Sequence, residues 1–201
     1  MDILEIKDLE TLAQKRVPKM FFDYVNSGSW TETTYNENIS DFQKIKLRQR
    51  VAIDMSNRTL ATKMVNQSVS MPVAIAPTGL TGMQRADGEI LAAQAAEEFG
   101  IPFTLSTMSV CSIEAVAEKT KKPFWFQLYV MKDKKFMARL IDRAKEAKCS
   151  ALVLTLDLQI LGQRHKDVRN GLSTHPKLIQ KHIYQVLTRP MWCLRMLTTK
   201  N

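Results

Sequence analysis

From residue 71 onward, short apolar runs alternate with stretches in which apolar residues recur every three or four positions, the pattern of strands followed by helices. The run Met71-Pro72-Val73-Ala74-Ile75-Ala76 is closed by Pro77 and the turn-like Thr78-Gly79, and it reads as a fully buried strand. A helix is predicted from about Asp87 to Phe99, with Asp87 as N-cap, Ile90, Leu91, Ala95 and Phe99 turned inward, and Gly100 and Pro102 stopping it. A second strand, Phe103-Thr104-Leu105-Ser106, precedes a short helix capped by Ser112 and carrying Ile113, Val116 and Ala117. A third, Phe124-Trp125-Phe126-Gln127-Leu128-Tyr129, precedes a helix capped by Asp133, whose apolar stripe is Phe136, Leu140, Ile141, Ala144 and Ala147. The fourth, Ala151-Leu152-Val153-Leu154-Thr155-Leu156, is nearly all apolar, as a parallel strand covered on both faces should be.

Outside this rhythm lie a prefix and a tail. In residues 1–60, Leu9, Leu12 and Ala13, then Met20, Phe21, Tyr24 and Val25, have helical spacing, with Pro18 between the groups and Gly28 after them. Beyond Gly162 the alternation fades, although Leu178-Ile179 and Ile183-Val186-Leu187 suit a short amphipathic helix. The polar residues Thr78, Ser106, Thr107, Gln127, Tyr129, Thr155 and Asp157 all fall at or just past the C-terminal ends of the predicted strands. In open α/β sheets and in (β/α)8 barrels alike, ligands bind at that edge, because loops and helix N-termini converge there. Chains also leave the core at strand ends, so any one of these residues is as readily a capping or satisfied polar group. The pattern leaves two architectures open, a small doubly wound sheet or part of a barrel. Neither GxGxxG nor a Walker A loop is present to decide between them.

The chain has 201 residues, 45% of them hydrophobic, which is enough to bury a core in one domain. Cys111, Cys149 and Cys193 are widely spaced with no CxxC pair, and His165, His175 and His182 are irregularly spaced; neither set predicts a disulfide framework or a metal site. No apolar run reaches the roughly 18 residues of a membrane span, and the acidic start lacks the order of a signal peptide, so a cytoplasmic chain is expected. The net charge of +9 is uneven: residues 161–201 hold eight Lys or Arg against the single acid Asp167. With no zinc-finger, RNP or helix-turn-helix pattern beside it, this basic tail predicts no nucleic-acid partner. Lys177, Lys181, Arg189 and Arg195 interleave with Leu178, Ile179, Ile183, Leu187, Trp192 and Leu194, the mixture of an interfacial segment, which allows peripheral contact with the inner face of a membrane. Pro190 interrupts any continuous helix there.

Four ordered blocks carry a resemblance. They are the run from Met71 to Gly79, Phe103-Thr104-Leu105-Ser106-Thr107-Met108-Ser109, Phe126-Gln127-Leu128-Tyr129-Val130, and the run from Leu154 through Asp157 to Arg164; the prefix segment Phe22-Asp23-Tyr24-Val25-Asn26-Ser27-Gly28 joins them. Together they resemble the FMN-dependent 2-hydroxy acid dehydrogenases and oxidases, with Thr78-Gly79-Leu80-Thr81-Gly82-Met83 and Gln163-Arg164-His165-Lys166-Asp167 nearest the bacterial respiratory L-lactate dehydrogenase branch. The resemblance implies an α/β fold: the first four strands or so of a (β/α)8 barrel, over residues 71–164, after a helical N-terminal segment over 1–60 and before a basic tail over 165–201. It implies FMN as cofactor, with Pro77, Thr78 and Gly79 beside the flavin and Ser106, Gln127 and Thr155 hydrogen-bonding it. For a small 2-hydroxy acid substrate it implies Tyr24 at the carboxylate, Tyr129 at the reacting hydroxyl, and Arg164 at the anion or its surroundings, the fork of a guanidinium being suited to a carboxylate. Full-length relatives are expected to be homo-oligomers.

The departures set a further expectation. The family's base is a histidine in a His-Gly-Gly/Ala-Arg-Gln block whose arginine grips the carboxylate, and a lysine faces the flavin; none of these occurs in the 201 residues. Asp157, which resembles the partner of that histidine, stands without it, and Gln84-Arg85 occupies positions where relatives tend to be apolar or aromatic. The sequence therefore predicts the N-terminal half of such an enzyme, without measurable 2-hydroxy acid oxidation on its own. A second expectation is a non-catalytic fragment or remnant with partial flavin-site character, whose open strand edges favour self-association.

Overall fold

The computed structural model describes residues 2–172 and 180–199. Two helices open the chain, α1 (Ile6–Arg16) and α2 (Lys19–Val25), separated by Pro18, whose missing N–H ends one helix and starts the next. α3 (Thr33–Lys44) leads to an antiparallel hairpin of β1 (Thr62–Met64) and β2 (Gln67–Val69). Its turn residues Val65 and Asn66 both take left-handed backbone, as a two-residue hairpin turn requires. Gln67 accepts a hydrogen bond from Trp125 Nε1 (2.9 Å) and donates one to Ser150 Oγ (2.7 Å), so the hairpin closes the N-terminal end of the sheet that follows.

That sheet is built by alternation: α4 (Thr81–Gln84), α5 (Gly88–Phe99), β3 (Thr104–Leu105), α6 (Ile113–Lys119), β4 (Trp125–Tyr129), α7 (Lys134–Glu146) and β5 (Ala151–Thr155). The strands are parallel in the order β3-β4-β5, with Thr104 opposite Trp125, Trp125 opposite Ala151, and Tyr129 opposite Thr155. Ser112 and Asp133 cap α6 and α7 through bonds from Ala115 N and Phe136 N. Between sheet and helices lie Ile90, Ala93, Ala96, Leu105, Val116, Phe126, Leu128, Leu140 and Ala144.

Several expectations need correction. The run 71–76 forms no strand but a single parallel bridge, Ile75 to Phe103, with Ile75 N donating to Pro102 O and Thr104 N to Ile75 O. Pro72 and Pro77 supply no N–H for a ladder, and Val73 is exposed rather than buried. The inward face of α5 is Ile90, Ala93 and Ala96, while Leu91 (44%), Phe99 (61%) and Ala95 are exposed. Two apolar stripes were available, and the one rich in alanine lets the helix approach the sheet closely. Asp87 occupies the N-cap position in left-handed backbone and makes no side-chain cap; its carboxylate instead accepts from Thr199 Oγ1. β5 is covered on one face only, Leu152 and Leu154 each being 47% exposed.

The tail contains α8 (His165–Asn170), α9 (Gln180–Leu187) and α10 (Pro190–Thr198), and it packs on the prefix. Trp192 stacks on Phe21 with ring centroids 5.7 Å apart and donates from Nε1 to Met83 O, while Gln185 accepts from Met20 N. His182 is buried against Asn170 O, and Asn170 Nδ2 reaches Asp23 Oδ2 at 2.6 Å. Pro190 sits in the first turn of α10, where its missing donor does no harm. His175, Lys177, Leu178 and Ile179 lie outside the described residues.

Candidate active site

The parallel strands end in a row of hydrogen-bonding groups because each apolar run gives way to a polar residue at the same edge. Gln127, 1% exposed on β4, is the centre of the row. Its Oε1 accepts from Ser106 Oγ (3.3 Å) and Thr107 N (3.2 Å), and its Nε2 donates to Thr155 Oγ1 at the end of β5 (2.8 Å). Ser106 Oγ in turn accepts from Met108 N, and Thr107 Oγ1 donates to Gln127 O while accepting from Tyr129 N. Thr107, a strand-end polar residue with no site role in the sequence, ties β3 to β4 through the backbone.

Above this row the prefix meets the rim. The loop of Pro77, Thr78 and Gly79 leaves the Ile75 bridge, with Pro77 and Thr78 exposed and Thr81 Oγ1 donating to Thr78 O. Gly79 lies against Tyr24: a Cβ on it would fall 2.6 Å from the Tyr24 hydroxyl and 3.3 Å from Met108 Cβ. Tyr129 is half-buried, and its phenol is held above its ordinary pKa by burial first, then by Tyr24 and Asp157. Gly79 of the first loop and Tyr24 of α2 thus pack together, and Tyr129 closes β4 on the same sheet. Asp157 is exposed beyond β5.

Arg164 stands behind Tyr24 with its guanidinium 4.7 Å from the ring centroid, donating to Tyr24 O and to Ser27 Oγ (2.8 Å). Its Nε lies 3.1 Å from Asp167 Oδ2, a charge contact without hydrogen-bond alignment. The Asp167 carboxyl is pushed up by burial, against the pull of Arg164. In this arrangement the arginine holds the tyrosine and its helix. Sequence reasoning missed Glu89, which is 1% exposed at the start of α5. Its Oε1 accepts from Gly82 N (2.9 Å) and Val110 N (3.0 Å), fastening α4 to the loop after β3. A glutamate two positions past the N-cap candidate Asp87 looks like any first-turn acid, so only the tertiary structure exposes this role.

The donor set suits a flavin. Hydroxyl, amide and hydroxyl in sequence can donate to and accept from a heterocycle edge that alternates N–H and C=O, and the missing side chain of Gly79 lets Tyr24 and Met108 close in on its loop. Among the described residues, no group of three His, Cys, Asp or Glu could hold a metal ion.

In a parallel α/β sheet, such a row lies at the edge where ligands bind. The FMN-dependent dehydrogenase family matches residues 13–201, and the chain belongs to that family. It is 47% identical over 185 residues to an L-lactate dehydrogenase of Acinetobacter baumannii, a match covering 92% of this chain and 48% of that protein. An L-lactate dehydrogenase of Acinetobacter baylyi is 45% identical over 192 residues, covering 96% of this chain and 50% of its own length. Among solved structures, monotopic membrane protein (S)-mandelate dehydrogenase superposes with TM-score 0.90 at 32% identity, over 98% of this chain and 52% of that one. The chain thus spans about half the length of the curated relatives it matches.

Proposed function

We propose that these residues form the first part of an FMN-dependent (β/α)8 enzyme that oxidises an L-2-hydroxy acid, lactate, to the 2-oxo acid. The observation that carries this reading is the hydrogen-bonded row of Ser106, Gln127 and Thr155 across the parallel strands, with Gly79 packed against Tyr24 and Tyr129 closing β4. Higher identity to the lactate enzymes than to the mandelate structure favours lactate.

In this proposal Pro77, Thr78, Gly79, Ser106, Gln127 and Thr155 hold FMN, which when bound supplies the two-electron acceptor. Tyr129, its phenol kept protonated by burial, donates a hydrogen bond to the substrate hydroxyl oxygen; Tyr24 donates to the carboxylate. Arg164 acts by fixing Tyr24 and by adding positive charge near the anion. Asp157 is placed to orient a base that no residue of the 201 supplies by motif. The 201 residues alone are therefore catalytically silent and bind FMN weakly. A titration followed by flavin absorbance through gel filtration, with a dye-reduction assay on L-lactate, tests this. The expected result is little retained flavin, less still in Gln127→Ala, and no turnover; retained FMN with dye reduction overturns it.

The proposal includes peripheral contact with a membrane. No helix of the described residues is long and apolar enough to cross one. The exposed faces of α9 and α10 nevertheless carry Ile183, Tyr184, Leu187, Met191, Leu194 and Leu197, an apolar surface in a basic segment. Sedimentation with anionic vesicles at low and high salt tests it; no binding at low salt removes the electrostatic case.

A further inference from the structure

Besides the strand-end row, a cavity of about 300 Å³ opens where the end of α1, the turn after α4 and the α9–α10 junction meet. Five cations reach it: Lys15 and Arg16 from the last turn of α1, Arg85 just after α4, and Arg189 and Arg195 from the two ends of α10. No carboxylate lines the cavity, and none of the five forms an ion pair among the described residues.

Helix dipoles explain part of this cluster, since C-terminal turns favour Lys15, Arg16 and Arg195 one at a time. They do not explain Arg189, which sits at the positive N-terminal end of α10. Its Nε is buried with no hydrogen-bond partner, and its Nη1 reaches only Thr188 O at 3.2 Å. A guanidinium with an unanswered Nε–H and four other cations around it is satisfied best by an anion. Trp192 makes a rigid apolar wall, fixed by its bond to Met83 O and its stack on Phe21. Leu187 and Leu197 are exposed on the same two helices. A charged concavity beside exposed apolar side chains suits a ligand with an anionic head and hydrocarbon tails.

We propose that this cavity binds the phosphate of an anionic phospholipid headgroup, held chiefly by Arg189 and Arg195, with Arg85, Arg16 and Lys15 around it. The proposal rests on the membrane contact above and gives that contact a specific site. A guanidinium matches phosphate with two parallel bonds, so the arginines give orientation as well as charge.

The test uses the chain with three probes: vesicles of phosphatidylglycerol in phosphatidylcholine, monomeric dihexanoyl phosphatidylglycerol, and inorganic phosphate. The expected result is vesicle binding, saturable binding of the short-chain lipid, and weaker binding of inorganic phosphate. Arg189→Gln with Arg195→Gln should weaken both lipid probes by roughly fivefold per guanidinium removed, with unchanged melting. Arg85→Gln, an exposed change, should weaken them about fivefold and guards against misfolding of the double variant. Failure of the chain to bind the short-chain lipid overturns the proposal whatever the vesicles do. Vesicle binding that survives all three arginine changes but is lost in Leu187→Ser with Leu197→Ser overturns the cavity and leaves the membrane contact standing. Inorganic phosphate bound as tightly as the lipid reassigns the site to a free phosphate compound and overturns the lipid source.

Discussion

Replacing Glu89 by alanine should loosen the rim without touching any group that faces it. The carboxylate takes bonds from Gly82 N at 2.9 Å and Val110 N at 3.0 Å, and Gly82 is buried while Val110 is partly open. Hydrogen bonds to charged acceptors contribute about 1.5–3 kcal/mol each, with the buried donor at the upper end because water cannot replace its partner. Water can serve Val110 N, so its share is about 1 kcal/mol or less. Against this, Glu89 Oε2 is buried without a partner, a cost that the substitution removes. The balance for Glu89→Ala is a loss of roughly 3 kcal/mol, or about 6–12 °C in melting temperature for a chain of this size. Glu89→Gln keeps one acceptor oxygen and should lose less than half as much. Thermal melting gives the stability, and amide exchange locates it, with Gly82 N exchanging faster in the alanine variant. A Glu89→Ala protein that melts within 2 °C or so of the parent, with Gly82 still protected, would refute the reasoning.

Two further outcomes follow from the same geometry. Gly79→Ala drives a methyl to within 2.6 Å of the Tyr24 hydroxyl and should cost about 1–3 kcal/mol by overpacking, most of it recovered when Tyr24→Ala is added; a double variant no more stable than Gly79→Ala contradicts this. Burial, helped by Glu89, pushes the Cys111 thiol up to about 12 from its usual 9.0. The folded chain then holds a proton that the unfolded chain has released between these values, so Cys111 lowers stability progressively as pH rises from 9 to about 12 and has no effect below 9. Cys111→Ala should flatten that alkaline slope in urea melts; an unchanged slope refutes the assignment.

Local chemistry made much of the fold legible. β4 and β5 fall on runs too apolar and β-prone to lie elsewhere, and Ser112 and Asp133 cap their helices because a side-chain oxygen and an N–H three residues on are neighbours by covalent geometry. Legibility stopped where choices were made at a distance. Nothing in α5 itself says whether Leu91 and Phe99 or Ala93 and Ala96 face the sheet; the closeness of packing decides. The β1–β2 hairpin lacks an Asn-Gly turn, so only Asn66 hinted at it. The packing of α10 on α2 depends on Phe21 and Trp192, far apart in sequence. At the rim, Ser106, Gln127 and Thr155 could be read as polar ends of apolar runs, but their bonding to one another comes from strand register. Arg164 reads as one charge in a basic tail, and its stacking on Tyr24 joins residues 140 positions apart in sequence.

The central claim, that the strand-end row of this chain is one side of an FMN site for 2-hydroxy acid oxidation, is tested most directly by completing it. Residues 1–201 would be joined to the remaining half of the Acinetobacter baumannii L-lactate dehydrogenase, and the purified chimera examined for bound flavin and for dye reduction by L-lactate. A yellow protein that oxidises L-lactate, and a Gln127→Ala version that folds but loses its flavin, is the predicted result. A folded chimera that stays colourless with excess FMN, or one whose flavin is indifferent to Gln127→Ala, contradicts the claim.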